Sequence, residues 1–255
     1  HVHFTNAEAL LAPALARDSN SAELWLTLGS VYRETGDRDR AEDHYRQALA
    51  RRPDYAPALC NLADLLADNG DVEGALALYD RALRHEDNPQ ARLNRAVLHL
   101  LRGNLKDGWR DYAARLKLSG KAPIPDHKLP RWTGASLKRQ RLLVTAEQGV
   151  GDQIMFASMI PELAARAARE GGSIIPECEP RLVALFTRSF PFIAVRAWDA
   201  QTQGGVPSTR YGGLKSIGGA TTYAERGTLP RYLRSTIQAL PNPNTYVVAE
   251  TNEAA

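Results

Sequence analysis

The chain has 255 residues, 44% of them hydrophobic and 24% charged, with a formal net charge of +3. The length allows two hydrophobic cores, and the composition is that of a globular protein, which excludes intrinsic disorder. Lysine and arginine alternate with aspartate and glutamate instead of forming a basic block, which speaks against nucleic acid as the main partner.

From the N-terminus, Ala7, Leu11, Ala14 and Ser19 read as the second helix of a truncated repeat over residues 5–21, because Ala41 and Ala48 stand 34 residues further on. The next segment, residues 22–55, carries Trp25, Leu28, Gly29, Tyr32, Gly36, Ala41, Tyr45, Ala48 and Pro53. At an offset of 34 residues, the segment 56–88 answers with Leu59, Leu62, Ala63, Leu66, Gly70, Ala75, Tyr79 and Ala82. A third copy over 89–120 is degenerate: Leu93, Ala96 and Leu100 keep the offset of 34, while Gly103, Gly108 and Tyr112 prefer 33. The period and the order of large and small residues resemble the tetratricopeptide repeat (TPR), so residues 1–120 are expected to form stacked helical hairpins in a superhelix.

The residue types have physical reasons. Leu28 and Tyr32 lie one turn apart and form the apolar stripe of a first helix. Gly29, Ala41, Ala63 and Ala75 are small where paired helices must approach, and Tyr45 and Tyr79 fill the space between hairpins. Gly36 with Asp37, and Gly70 with Asp71, end one helix and cap the next. TPR superhelices generally hold extended peptides on the concave face lined by first helices. Asn61 and Asn94 occupy inner-face positions where an amide, both donor and acceptor, grips a peptide main chain. A solvated helix asparagine explains them equally well, and both readings stand. The partner expected on this face is a protein or peptide.

Residues 121–130 (KAPIPDHKLP) contain three prolines and read as a linker. Residues 131–255 follow a different pattern. Arg141 to Ala146 reads as a buried strand, Glu147 to Asp152 as a glycine-bearing turn, and Gln153 to Arg169 as an apolar-faced helix. Ser173 to Cys178 reads as a second strand, Arg181 to Ser189 as a short helix, and Phe192 to Arg196 as a third strand. Strands alternating with helices predict a parallel sheet of Rossmann type. Ala200 to Arg226, rich in Gly, Ser, Thr and Gln, is expected to be loop. The turn at Gly149 and Gly151 lies between strand and helix, where open parallel sheets bind ligands. Asp152 is read either as the N-cap of the following helix or as a functional carboxylate.

Arg131, Trp132 and Gly134, then Arg141 to Val144, then Glu147 to Ala157 (EQGVGDQIMFA) and Pro161 together resemble a bacterial family. In that family TPR repeats precede a glycosyltransferase-like domain of GT-B type, related to heptosyltransferases and more loosely to O-GlcNAc transferases. Gly108, Trp109, Tyr112 and Arg115 resemble its last degenerate repeat, and Leu229 to Arg234 its short helix near the end of the first sheet domain. The resemblance implies a fold of α plus α/β class, with a TPR superhelix followed by the first half of a GT-B fold. It implies that Asp152 is the general base that takes the acceptor hydroxyl's proton, and that Glu147, Gln148, Gly149 and Gly151 line the cleft. Ser158 departs from the arginine common after Phe-Ala in relatives.

The sequence stops at Ala255, about where such a first half should close. The donor-binding half is therefore expected to be missing, and the chain is expected not to transfer sugar by itself. No cofactor is expected in this chain, and a nucleotide sugar is expected as donor only for a complete transferase. The functional expectation is a protein-binding TPR module joined to the acceptor-side half of a glycosyltransferase. The alternative is a non-catalytic TPR adaptor or scaffold that works by binding partners.

Cys60 and Cys178 sit in segments of different character, so no disulfide framework is expected. His44, His85, His99 and His127 lack ligand spacing, so no metal site is expected. No run approaches the length of a membrane span and no signal-peptide pattern opens the chain, so a cytoplasmic location is expected.

Overall fold

Small residues set against buried tyrosines decide how the N-terminal helices pack. A computed structural model describes residues 2–118, 124–125, 127–147, 149–203, 206–209, 218–240 and 246–248. The chain divides into two compact units, His1–Arg102 and Gly103–Ala255.

The first unit is helical: α1 Val2–Arg17, α2 Ala22–Thr35, α3 Arg38–Arg51, α4 Ala56–Asp68, α5 Val72–His85 and α6 Pro89–Leu101. Each helix packs on the next in sequence. Ala41 and Tyr45 of α3 are fully buried, and a methyl group on Gly29 of α2 would lie 2.7 Å from carbons of the Tyr45 ring. Glycine is thus what lets α2 and α3 close on each other. One repeat later Ala63, Ala75 and Tyr79 share a core cluster with Leu76, Ala91 and Leu98. The turns use the expected chemistry. Gly36 (φ 85°) and Gly70 (φ 87°) adopt the left-handed conformation after α2 and α4. Asp37 and Asp71 then cap α3 and α5, accepting from the backbone N–H of Arg40 at 3.1 Å and of Gly74 at 2.9 Å.

The second unit opens with α7 Leu105–Tyr112, which runs on as a 3-10 turn over Ala113–Lys117. At 8 residues α7 is shorter than the 14 of α3 and α5. Its Trp109 meets Tyr112 and Phe156 edge-on, at ring distances of 5.5 and 6.2 Å, and so belongs to the core of this unit. There follow β1 Ile124–Pro125, β2 Arg141–Thr145, α8 Val150–Ala157, α9 Ile160–Arg169, β3 Ser173–Cys178, α10 Val183–Ser189 and β4 Arg196–Ala197. The rest is β5 Ala200–Gln203, β6 Val206–Thr209, β7 Thr222–Glu225 and α11 Pro230–Leu233.

A small sheet in the order β4-β3-β2-β7 is parallel throughout, with Leu142 paired to Ile174 on one side and Thr222 on the other. Leu142, Leu143 and Val144 are fully buried, as expected for a central strand covered on both faces. Leu142 and Val144 pack with Phe156, Ile160, Leu163 and Phe186, whereas Leu143 faces Ile175 and Ala220. A second sheet, in the order β1-β6-β5, joins β1 and β6 in parallel and β5 and β6 antiparallel.

Several expectations need correction. The helix read over 153–169 is two helices, parted at Ser158 and Met159, because Pro161 lacks an N–H and starts a new helix at its first turn. The third strand is Arg196–Ala197 and not 192–196, since the chain turns at Phe190, where the Ile193 N–H bonds back to the Phe190 carbonyl at 3.2 Å. The stretch expected to be loop contains β5, β6 and β7, and β7 completes the sheet beside β2. The linker is fastened at its end: the Pro130 carbonyl accepts from the Tyr223 N–H at 3.0 Å and from the Thr222 hydroxyl at 2.8 Å. What these strands form is a small parallel sheet; the finer assignment, a Rossmann-like half of a GT-B fold, goes beyond it.

Glu170 ties the approach to β2 onto the end of α9. It accepts from Arg166 Nε at 2.9 Å, from the Ser136 hydroxyl at 2.9 Å and from the Leu137 N–H. The Arg166 guanidinium, with these two donors, brings its carboxyl down to about 2 from the ordinary 4.5. Stability from this group is therefore fully present above pH 4.5 and is lost as pH falls toward 2. Carboxyl NMR of Glu170 should show a midpoint near 2 that returns toward 4.5 in Arg166→Ala. A midpoint already near 4.5 in the unmodified chain would disprove the clasp.

Candidate functional site

The carboxyl end of β2 is where the strand order turns back on itself, with β3 on one side and β7 on the other. Open parallel sheets bind ligands at such a point. The loop leaving β2 carries Glu147, Gln148 and Gly149. Gln148 lies outside the described residues. Gly149 is the N-cap of α8, with extended backbone at φ −74° and ψ 172°. Added methyl groups at Gly149 or Gly151 would meet nothing within 4 Å, so neither glycine is required by the protein's own packing. Asp152 is not the cap: it lies half-buried in the first turn of α8, where the helix dipole favours a carboxylate.

Glu147 does not line an open cleft. It is 2% exposed, and its Oε1 accepts from Arg115 Nη2 at 2.5 Å and from the Gly227 N–H at 2.6 Å. Arg115, on the 3-10 turn after α7, is equally buried and donates through Nη1 to the Tyr112 carbonyl at 3.2 Å. Burial pushes the Glu147 carboxyl up despite the attraction of Arg115. A cleft residue would present its charge to a ligand. This one spends it on holding the ends of β2 and β7 to the turn after α7.

Sequence reasoning missed the rest of this cluster. Glu177 is fully buried near the end of β3, with Arg196 Nε at 3.1 Å, and Glu225 closes β7 with Arg131 Nη2 at 2.6 Å. Arg226, 1% exposed, donates to the carbonyls of Glu177 and Gln153, and burial pushes its guanidinium down to about 10. The usable signal was positional: Glu147, Glu177 and Glu225 all stand at the carboxyl ends of adjacent parallel strands, where apolar residues would be expected to continue.

In the first unit the helices α2, α4 and α6 carry polar residues at one-turn spacing. On α6, Gln90, Asn94, Val97 and Leu101 form one stripe, and on α4, Asn61, Asp64 and Asp68 form another. Hydrogen bonds cross between them. Asn61 Nδ2 reaches the Ser30 hydroxyl of α2 at 3.3 Å, and Asn94 Nδ2 reaches Asp64 Oδ1 at 2.8 Å. Gln90 donates to Asn94 Oδ1 at 2.7 Å, Arg33 approaches Asp64 at 3.4 Å, and the Tyr79 hydroxyl also bonds to Asp64. Asp64 is thus the hub of the row, which the sequence reading did not single out. Val97 and Leu101, on the Asn94 stripe, are 45% and 75% exposed.

Among the described residues no group of three or more His, Cys, Asp or Glu is placed to hold a metal ion. No helix among them is long and apolar enough to cross a membrane. Both cysteines are free thiols, pushed up to about 11 by burial.

Comparison with known proteins bears on the helical repeats first. The tetratricopeptide repeat family model matches residues 3–56, 26–86 and 60–123. Protein FlbA of Caulobacter vibrioides is 30% identical over 249 residues, which are 95% of this chain and 41% of FlbA. A probable biofilm formation methyltransferase, WspC of Pseudomonas putida, is 44% identical over 64 residues, 25% of this chain and 15% of its own length. The chain therefore spans less than half the length of these two relatives. Of solved structures, MamA overlays 44% of this chain and 66% of its own at 19% identity, with a TM-score of 0.40. A thermophilic TPR protein of Thermus thermophilus overlays 42% of this chain and 61% of its own at 25% identity, with a TM-score of 0.37. The helical hairpins of this chain are tetratricopeptide repeats.

Proposed function

We propose that this chain is a protein-interaction module that works without catalysis, binding a partner across the face formed by α2, α4 and α6. The observation that carries this reading is the continuous polar row from Ser30 through Asn61 and Asp64 to Asn94, flanked by the exposed Val97 and Leu101. Asparagine and aspartate at helical spacing offer a partner's main chain donors and acceptors without demanding one side chain. Exposed apolar residues beside them add buried area on binding. The inward pairing of Glu147 with Arg115 takes one of the residues expected to line a transferase cleft out of reach of a ligand.

The test places a photo-crosslinking phenylalanine analogue in the full chain at Val97, or at Arg46 on α3, within the source cells. A discrete partner adduct from Val97 that is absent from Arg46 is expected. Equal labelling from both positions, or none from Val97, would remove the assignment of this face.

A further inference from the structure

An open depression of about 400 Å³ in the second unit is lined by Lys106, Arg110, Arg231, Ser235 and Thr236. Lys106 and Arg110 stand one turn apart on α7, Arg231 lies on α11, and α11 packs on α7. Ser235 and Thr236 follow as the chain leaves α11. Three of these five residues are cations and none is acidic.

Several arginines elsewhere in this unit pair with a carboxylate, as Arg166 does with Glu170, Arg234 with Glu162 and Arg131 with Glu225. Here the pairing is incomplete. Arg110 engages Asp107 at 2.7 Å and Asp111 at 3.4 Å, which leaves part of its five-donor fork free. Lys106 and Arg231 have no carboxylate partner among the described residues, and Arg231 lies only over the Tyr232 ring, 5.8 Å from its centroid. Like charges around one hollow repel each other, and an anion placed among them turns that repulsion into attraction.

We propose that this depression binds the phosphoryl group of a small anionic ligand. The guanidinium forks match phosphoryl oxygens two at a time, the ammonium supplies a point charge, and the two hydroxyls donate to the remaining oxygens. A phosphoryl group carries nearly two negative charges near neutral pH, which matches Lys106 and Arg231, the two lining cations without a carboxylate partner among the described residues. A carboxylate offers one charge and two oxygens in a plane, a poorer match to donors arriving from α7, α11 and the segment after it. The inference concerns the second unit alone and does not rest on the protein-binding face.

The test is an amide NMR titration of the full chain with inorganic phosphate, at ionic strength held constant with sodium chloride. Saturable shifts at Arg231, Ser235 and Thr236 are expected, with none from acetate at the same concentration. Lys106→Gln combined with Arg231→Gln should weaken phosphate binding about tenfold or more. Its unfolding midpoint should not move, because both side chains are exposed. Shifts that never saturate, that acetate reproduces, or that persist in the double variant would overturn the proposal.

Discussion

Arg115→Met is expected to destabilise the second unit by about 3–5 kcal/mol, the cost of leaving a buried carboxylate without its counter-charge. Glu147 and Arg115 are each 2% exposed and meet at 2.5 Å, so solvent cannot replace the lost partner. The stranded Glu147 must take up a proton or stay ionised in an apolar setting, and both cost free energy. Glu147→Gln in the same chain should recover a large part of the loss. Its amide oxygen still accepts from the Gly227 N–H, now without a charge to bury. Tryptophan fluorescence in a Trp25→Phe background reports on this unit, since Trp109, Trp132 and Trp198 all belong to it. If Arg115→Met unfolds within about 1 kcal/mol of the unmodified chain, the pair is solvated and does not hold the strand ends.

Tyr45→Ala should cost about 3–5 kcal/mol in the first unit, as truncation of large buried aromatics does. The ring is fully buried against the space that Gly29 leaves open, and Ala41 and Leu28 share its cluster. Its hydroxyl lies near Ser30 and Arg33 but makes no hydrogen bond of good geometry among the described residues. Tyr45→Phe is therefore expected to be nearly neutral, which separates packing from polarity. Gly29→Ala should be destabilising alone, because the new methyl meets the ring at 2.7 Å, and much less so once Tyr45→Ala has opened the space. Far-UV circular dichroism follows mainly this unit, which holds the longer helices, and the two units are fitted as separate transitions. A loss below about 1 kcal/mol for Tyr45→Ala would mean that α2 and α3 repack around the gap.

The repeats were legible because each signal is local. Gly36 and Gly70 need a left-handed turn, Asp37 and Asp71 need only the next three residues to cap, and Gly29 faces a tyrosine sixteen residues away on the adjoining helix. The strands β2 and β3 were legible for the same reason: a short apolar run on a covered strand announces itself. β7 was not, because Thr222, Tyr223 and Glu225 read as loop until they are paired with Leu142 and Thr145, some eighty residues earlier.

The candidate site divides along the same line. By its own order of residues the chain determined the helical repeat, its period, its caps and the turn after β2 that carries Gly149 and Asp152. Tertiary structure alone decided that Glu147 turns inward. Its partners Arg115 and Gly227 lie 32 residues before it and 80 after it. A carboxylate's role depends on which cation and which N–H the fold brings within 3 Å of it, and no local pattern encodes that meeting.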